Sequence, residues 1–273
     1  MKLTGPAGRL SETQGRFSRP GNLSLSLGLH LTCMRCLELA RHRTSEQVRE
    51  QHLRDMGPAL GGIYNILYND VSWLHALWEQ YLALFAKSER RIEVLNETAG
   101  YLFRIIQNAF FEHVVLGLAR LTGRIQTGRG KNQQENLTLR RLPSLVSDAS
   151  LSAELTVLVE ASLHACASAE AWRNKRLAHR DLVVALATVA DPLPGISRAD
   201  IERALGAFRA LLNRLERHYW QSETHYQMVL TNLGDAGSLV HYLNKGLKAE
   251  REWRERLQSG RLLAEDLHPD EEV

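Results

Sequence analysis

The run IYNILYNDVSWLHALWEQYLALF, residues 63–85, carries Leu67, Val71, Leu74, Trp78, Tyr81 and Phe85 at intervals of three and four. Side chains so spaced share one face of an α-helix, and an apolar face of that width needs another helix against it. The next stretch repeats the pattern. Ser88 is placed to cap a second helix running to about Leu121, with Leu95, Leu102, Ile106, Phe110, Val114 and Leu118 on its apolar side. The two are expected to form an antiparallel hairpin. Strand-type alternation is scarce, while Leu, Ala, Arg and Glu recur at helical intervals almost everywhere after position 45, so the chain is predicted to be all-α.

Further along, Thr122 to Asn136 (TGRIQTGRGKNQQEN) is rich in Gly, Gln, Asn and basic residues and reads as an exposed loop. A short helix is expected after Thr138, with Pro143 inside it or ending it. Leu151 to about Ala178 is predicted as a third long helix. Asp191-Pro-Leu-Pro-Gly195 is a turn, after which Ser197 and Asp200 make an acidic capping box for a fourth helix to about Gln221. Gly234-Asp-Ala-Gly237 breaks the chain before a last charged helix, Ser238 to Leu257. Residues 1–44 lack periodicity and are frequent in Gly, Ser, Arg and Pro, which predicts a disordered or weakly structured extension; residues 45–258 are the helical domain and 259–273 a flexible acidic tail.

A chain of 273 residues with 44% apolar content can build a sizeable core. Its net charge of +3 is too small to mark a nucleic-acid binder by bulk field, so local clustering has to carry any such reading. Cys33, Cys36 and Cys166 are odd in number and no secretory leader is evident, which argues against a disulfide framework and for a cytoplasmic protein. Cys33-Met-Arg-Cys36 has half the spacing of a zinc site without a second pair to complete it, so no metal and no cofactor are expected. No stretch approaches the ~20 uninterrupted apolar residues of a membrane span, and no membrane association is expected.

The densest chemistry lies in Trp172-Arg-Asn-Lys-Arg-Leu-Ala-His-Arg-Asp181, at the end of the third predicted helix. Guanidinium groups contact phosphate oxygens bidentately, and imidazole is the side chain best poised for proton transfer near neutral pH. Spacing alone does not assemble a site. In an ideal helix six residues advance about 600°, leaving Arg173 and His179 about 120° apart. Either the helix ends or distorts between them, or a second copy crosses nearby and lends its own groups to one cleft.

The segment Arg173-Asn-Lys-Arg-Leu-Ala-His179 resembles the Arg-polar-(four residues)-His signature of the HEPN superfamily. Together with Trp73-Leu-His-Ala-Leu-Trp78, Leu118-Ala-Arg-Leu-Thr122 and Asn136-Leu-Thr-Leu-Arg-Arg-Leu142, it resembles the abortive-infection AbiU-type branch over about residues 48–245. This likeness implies a HEPN-like antiparallel helical bundle, here with extra C-terminal helices, that dimerises with its motif helices adjacent. It further implies metal-independent RNA cleavage by 2′-hydroxyl attack in a toxin or antiphage role, with an antitoxin as a further partner. Carried over residue by residue, Arg173 would bind the scissile phosphate, His179 would act as general acid or base, and Asn174 would be the polar orienter. Lys175, Arg176 and Arg180 would extend the RNA-binding surface, and Asp181 would pair with an arginine or orient His179.

The competing reading is a non-catalytic HEPN dimer that binds nucleic acid or a partner protein, because a fold persists without its activity. His75, His113, His164 and His218 fit helical patterns and are read as packing or surface residues. The aromatic stripe from Trp73 to Phe85 is read as core or dimer interface rather than a base-stacking platform. Arg124, Arg129 and Lys131 are read as parts of a solvated loop, with contact to RNA backbone as the alternative.

Overall fold

The computed structural model describes residues 43–174, 195–228 and 234–261, with Leu263 and Asp266. The expectations for the N-terminal extension, for Cys33 and Cys36 and for most of the tail fall outside those residues. The described chain divides into two compact units, one ending at Ile66 and one beginning at Leu67.

In the first unit α1 (Ser45–Met56) begins at Thr44, whose hydroxyl accepts from the Gln47 backbone while the Gln47 side chain accepts from the Thr44 backbone, a reciprocal capping box. It stops at Gly57, which adopts φ +80, and α2 (Pro58–Phe85) starts immediately with Pro at its first position. The two helices touch through Gly61: a Cβ there would lie 2.2 Å from the His52 carbonyl oxygen. His52 is buried, its Nδ1 2.9 Å from Asn65 Oδ1 and its ring edge-on to Tyr64.

In the second unit the stripe on α2 packs as its spacing predicts. Leu67, Val71, Leu74, Trp78 and Phe85 are buried, with Tyr81 half-buried. Each fully buried Leu or Phe contributes roughly 1.5–3 kcal/mol. Helix α3 (Glu89–Leu121) is capped by the Ser88 side chain and ends at Thr122. Its backbone leaves helical geometry at Ala99 (φ −148, ψ 54), and that kink turns the face beyond it. Leu102 therefore stands 53% exposed rather than joining the core, and Phe103 is buried in its place. Beyond the kink α3 runs antiparallel to α2: Gln107 hydrogen-bonds Tyr81, Gly117 lies against Leu74, and Arg120 reaches Asp70 at 3.0 Å. Glycine makes this close crossing possible, because a Cβ at position 117 would sit 2.5 Å from a Leu74 methyl. An 18-residue window of α3 reaches a mean hydropathy of 1.2, long and apolar enough by composition to cross a membrane, which the sequence reading did not anticipate.

After α3 comes a structured turn rather than an open loop. Strands β1 (Gln126–Thr127) and β2 (Gln134–Glu135) pair antiparallel around a 3₁₀ turn at Gly130–Asn132. Two more 3₁₀ turns, Leu139–Arg141 and Pro143–Leu145, replace the short helix expected after Thr138. Helix α4 (Ala149–Ala165) is capped by Asp148 and stops at Cys166; the short α5 (Ala167–Trp172) follows. The single helix predicted from Leu151 to Ala178 is therefore interrupted well before the cationic run.

Helix α6 (Arg198–Trp220) carries the predicted Ser197–Asp200 capping box and terminates at Gln221 in the left-handed conformation, φ 51. Its buried stripe, Ile201, Leu205, Phe208, Leu212 and Leu215, faces Leu151, Leu155 and Val159 of α4, and Arg214 holds Glu154 through two hydrogen bonds of 2.6 and 3.2 Å. Helix α7 (Ala236–Gln258), capped by Asp235, packs Ala236 and Val240 with Leu84, Phe85, Ile92, Leu95 and Phe103 in a second apolar cluster. At the interface of α2 and α6, His75 is buried with Nε2 lacking a hydrogen-bond partner among the described residues. Burial first, then the nearby Arg209 charge, lower its pKa to about 4, so this imidazole is neutral at physiological pH.

Candidate functional site

Helix α5 packs on α3, with the Trp172 ring edge-on to Phe111 at 6.0 Å, and this carries the start of the cationic run to the C-terminal end of α3. Cys166 sits at the break that makes α5 a separate helix. Its thiol is buried and shares a hydrogen bond with Thr122; burial outweighs that bond and pushes its pKa up to about 12. A thiol so held is a packing group and not a nucleophile at neutral pH.

Arg173 closes α5, and with Asn174 it lies in a π-type turn. Its guanidinium is held by its neighbour: Nε donates to Asn174 Oδ1 at 3.0 Å and Nη2 donates to the same oxygen at 2.8 Å. Nη1 is left pointing past Gly123, where an added Cβ would lie 3.7 Å away and would also crowd the carbonyls of Arg120 and Ala119. The negative end of α3 therefore lies beside a guanidinium whose only hydrogen-bond acceptor among the described residues is neutral.

These groups border an open cleft of about 730 Å³, lined by Arg120, Arg124, Glu170, Arg173 and Asn174, by Asp70, and by the hairpin residues Thr127, Glu135, Asn136 and Thr138. Its charges are unequally engaged. Arg120 pairs with Asp70, and Glu135 accepts from Arg141 at 2.7 Å and from Gln126 at 3.0 Å. Among the described residues Arg124 and Arg173 have no carboxylate partner, and Glu170 has no cationic one. Thr138 is fully buried in the wall, and its hydroxyl has no hydrogen-bond partner among the described residues.

The hairpin side of the cleft is fixed by arginines. Arg140 Nε donates to the Thr122 carbonyl at 3.0 Å, capping α3. Arg141 Nε donates to the Asn136 carbonyl at 2.6 Å and Nη2 donates to the Ile125 carbonyl at 3.2 Å. Asn136 returns its amide to the Arg124 carbonyl at 2.9 Å.

Of the residues singled out from sequence, Arg173 and Asn174 are thus brought together on one cleft. His179, Lys175, Arg176, Arg180 and Asp181 lie outside the described residues. The sequence did not point to Glu170, Arg120 or Thr138 as site residues, and it put Arg124 in a solvated loop. Glu170 was within reach, because a residue three before Arg173 shares its helix face. Arg120 and Arg124 enter only because α3 ends beside α5, which no local spacing encodes.

An all-α chain that presents an Arg-Asn pair on an open cleft, at the point where its sequence begins an Arg-polar-(four residues)-His run, falls in the HEPN class of helical proteins. The family model HEPN_AbiU2, described as AbiU2, matches residues 57–239, and the chain belongs to that family. The matched region runs from the start of α2 into the first turn of α7. Neither among curated proteins nor among solved structures does the chain have a match.

Proposed function

We propose that the protein is a metal-independent endoribonuclease of the abortive-infection type, working as a homodimer in the cytoplasm and restrained by an antitoxin. The observation that carries this reading is the Arg173 guanidinium, held by Asn174 in an open cleft with no carboxylate paired to it among the described residues. Family membership supplies the second support, since the Arg-Asn pair opens the signature run.

In the proposed reaction the 2′-oxygen of one nucleotide bonds to the adjacent phosphorus while the bond from phosphorus to the 5′-oxygen breaks. A base removes the 2′-hydroxyl proton and an acid protonates the departing 5′-oxygen, giving a 2′,3′-cyclic phosphate and a 5′-hydroxyl without consuming water. Arg173 stabilises the charge gathering on the non-bridging oxygens, and His179 transfers protons, with the second subunit's copy of the motif serving the complementary role. Lys175, Arg176 and Arg180 hold flanking phosphates.

Purified protein incubated with single-stranded and structured RNA should yield fragments ending in 2′,3′-cyclic phosphate, equally with and without EDTA. His179→Ala should abolish cleavage while preserving the oligomer and RNA affinity, and Arg173→Ala should lower the rate by roughly 10²–10³. Loss of activity only in EDTA would overturn the metal-free step. Binding of RNA without cleavage of any RNA would establish the non-catalytic alternative.

A further inference from the structure

The hairpin after α3 has the composition of a solvated loop and the anchoring of a built element. Its root is pinned by Arg141 to the carbonyls of Ile125 and Asn136, and by Asn136 to the carbonyl of Arg124. Its turn needs glycine. Gly128 holds φ +82 where a Cβ would lie 2.1 Å from the Asn132 carbonyl oxygen, and Gly130 holds φ +57.

Charge on this element is one-sided. Across residues 122–136 the cations are Arg124, Arg129 and Lys131, and the single carboxylate, Glu135, is already engaged by Arg141 and Gln126. All three cations are exposed and have no ion-pair partner among the described residues. Arg124 and Thr127 line the cleft that holds Arg173, and Arg129 lies two residues past Thr127, in the turn that Gly128 opens. The opposing charges on the cleft are Asp70, bound by Arg120, Glu170 near Arg173, and the hairpin's own Glu135, which Arg141 and Gln126 already engage.

We infer that this hairpin is a strand guide: Arg129 and Lys131 at its tip and Arg124 at its root bind consecutive backbone phosphates of single-stranded RNA and lead the strand to Arg173. The inference rests on the endoribonuclease reading for the direction of the strand but concerns binding alone. A backbone guide of this kind is indifferent to base sequence and strongly dependent on salt, because each phosphate contact releases condensed counterions.

Wild-type full-length protein is titrated onto a fluorescein-labelled 2′-O-methyl single strand, which has no free 2′-hydroxyl to attack and so stays intact whatever the protein's activity. Binding is read by anisotropy over a salt series. Each contact adds ~0.7 to the slope of log affinity against log salt, so Arg129→Ala with Lys131→Ala should lower the slope by about 1.4 and weaken binding about 25-fold at ~0.1 M salt. Arg124→Ala should lower the slope by about 0.7. Should the double variant melt below wild type, the charge-conserving pair Arg129→Lys and Lys131→Arg replaces it and should retain the wild-type slope.

An unchanged slope in the double variant, or no binding of the strand by wild type, overturns the guide even if the protein cuts RNA. Wild type that cuts no RNA, yet shows these slope losses, leaves the guide standing and removes the nuclease.

Discussion

Thr138 offers a direct test of the cleft wall. It is fully buried, its backbone is extended (φ −143, ψ 158), and its hydroxyl lacks a hydrogen-bond partner among the described residues. A hydroxyl taken from water without a replacement bond costs about 1–3 kcal/mol in proteins. Valine has nearly the same shape, prefers extended backbone, and replaces the hydroxyl by a methyl that is content to be buried. Thr138→Val should therefore stabilise the protein by about 1–2 kcal/mol, raising the melting temperature by roughly 2–5 °C in a chain of this size.

The assay is urea unfolding followed by circular dichroism, where the midpoint should rise at constant slope. Thr138→Ser is the control: it keeps the unsatisfied hydroxyl and removes the methyl, so it should be less stable than wild type by about 1 kcal/mol. A valine variant no more stable than wild type would refute the reasoning, since it would mean the hydroxyl has a partner in solution. If the hydroxyl serves a ligand in the cleft, the valine variant should also bind the 2′-O-methyl strand more weakly, a gain in stability set against function.

His75 is held neutral by burial and by Arg209, with its pKa at about 4. The unfolded state takes up this proton below pH 6.5 and the folded state only near 4, so stability falls as pH drops through that window, by about 3 kcal/mol in total; His75→Leu should flatten the urea midpoint between pH 7 and pH ~4.5 relative to wild type. Adjacent glycines in α2 should respond oppositely: Gly61→Ala drives a methyl into the His52 backbone and should cost about 3 kcal/mol, while Gly62→Ala meets only a Leu53 methyl at 3.8 Å and should gain about 0.5–1 kcal/mol in thermal unfolding. Asn174→Asp keeps an acceptor for Arg173 but neutralises it, so binding of the 2′-O-methyl strand should weaken about fivefold at ~0.1 M salt, and equal affinity would show that Arg173 does not contact phosphate.

Helical periodicity made the packing side of this molecule legible. The stripe from Leu67 to Phe85, the Ser88 cap and the Ser197–Asp200 capping box are local patterns, and local geometry realises them. What periodicity missed are departures from ideal helix. The kink at Ala99 turns Leu102 out to solvent, and at the break the buried Cys166 thiol meets Thr122, 44 positions earlier. The hairpin at residues 126–135 was read as a loop because its stability resides in Arg141 and Asn136, which bind backbone carbonyls rather than follow any alternation. In the cleft, Arg173 and Asn174 stood out by residue type, whereas Arg120, Arg124 and Thr138 belong to it only through the meeting of α3, α5 and the hairpin.

The way each guanidinium around the cleft is occupied separates scaffold from available charge. Arg140 is committed to the Thr122 carbonyl, Arg141 to two carbonyls and Glu135, and Arg120 to Asp70. Those contacts hold the walls and leave little field for a ligand. Arg173 is also held, but by an amide oxygen, which fixes its direction without cancelling its charge. The clamp uses Nε and Nη2, the edge that would otherwise make a side-on fork with a phosphate, so an anion in the cleft meets Arg173 end-on through Nη1 and the second Nη2 proton. In the proposed reaction an end-on contact with one arginine would engage a phosphate less fully than a fork, and would leave the transition state room to be bound more tightly than the ground state. It also leaves phosphate oxygens open to further cations, and Arg124, on the same cleft and without a carboxylate partner, is the described residue placed to supply one.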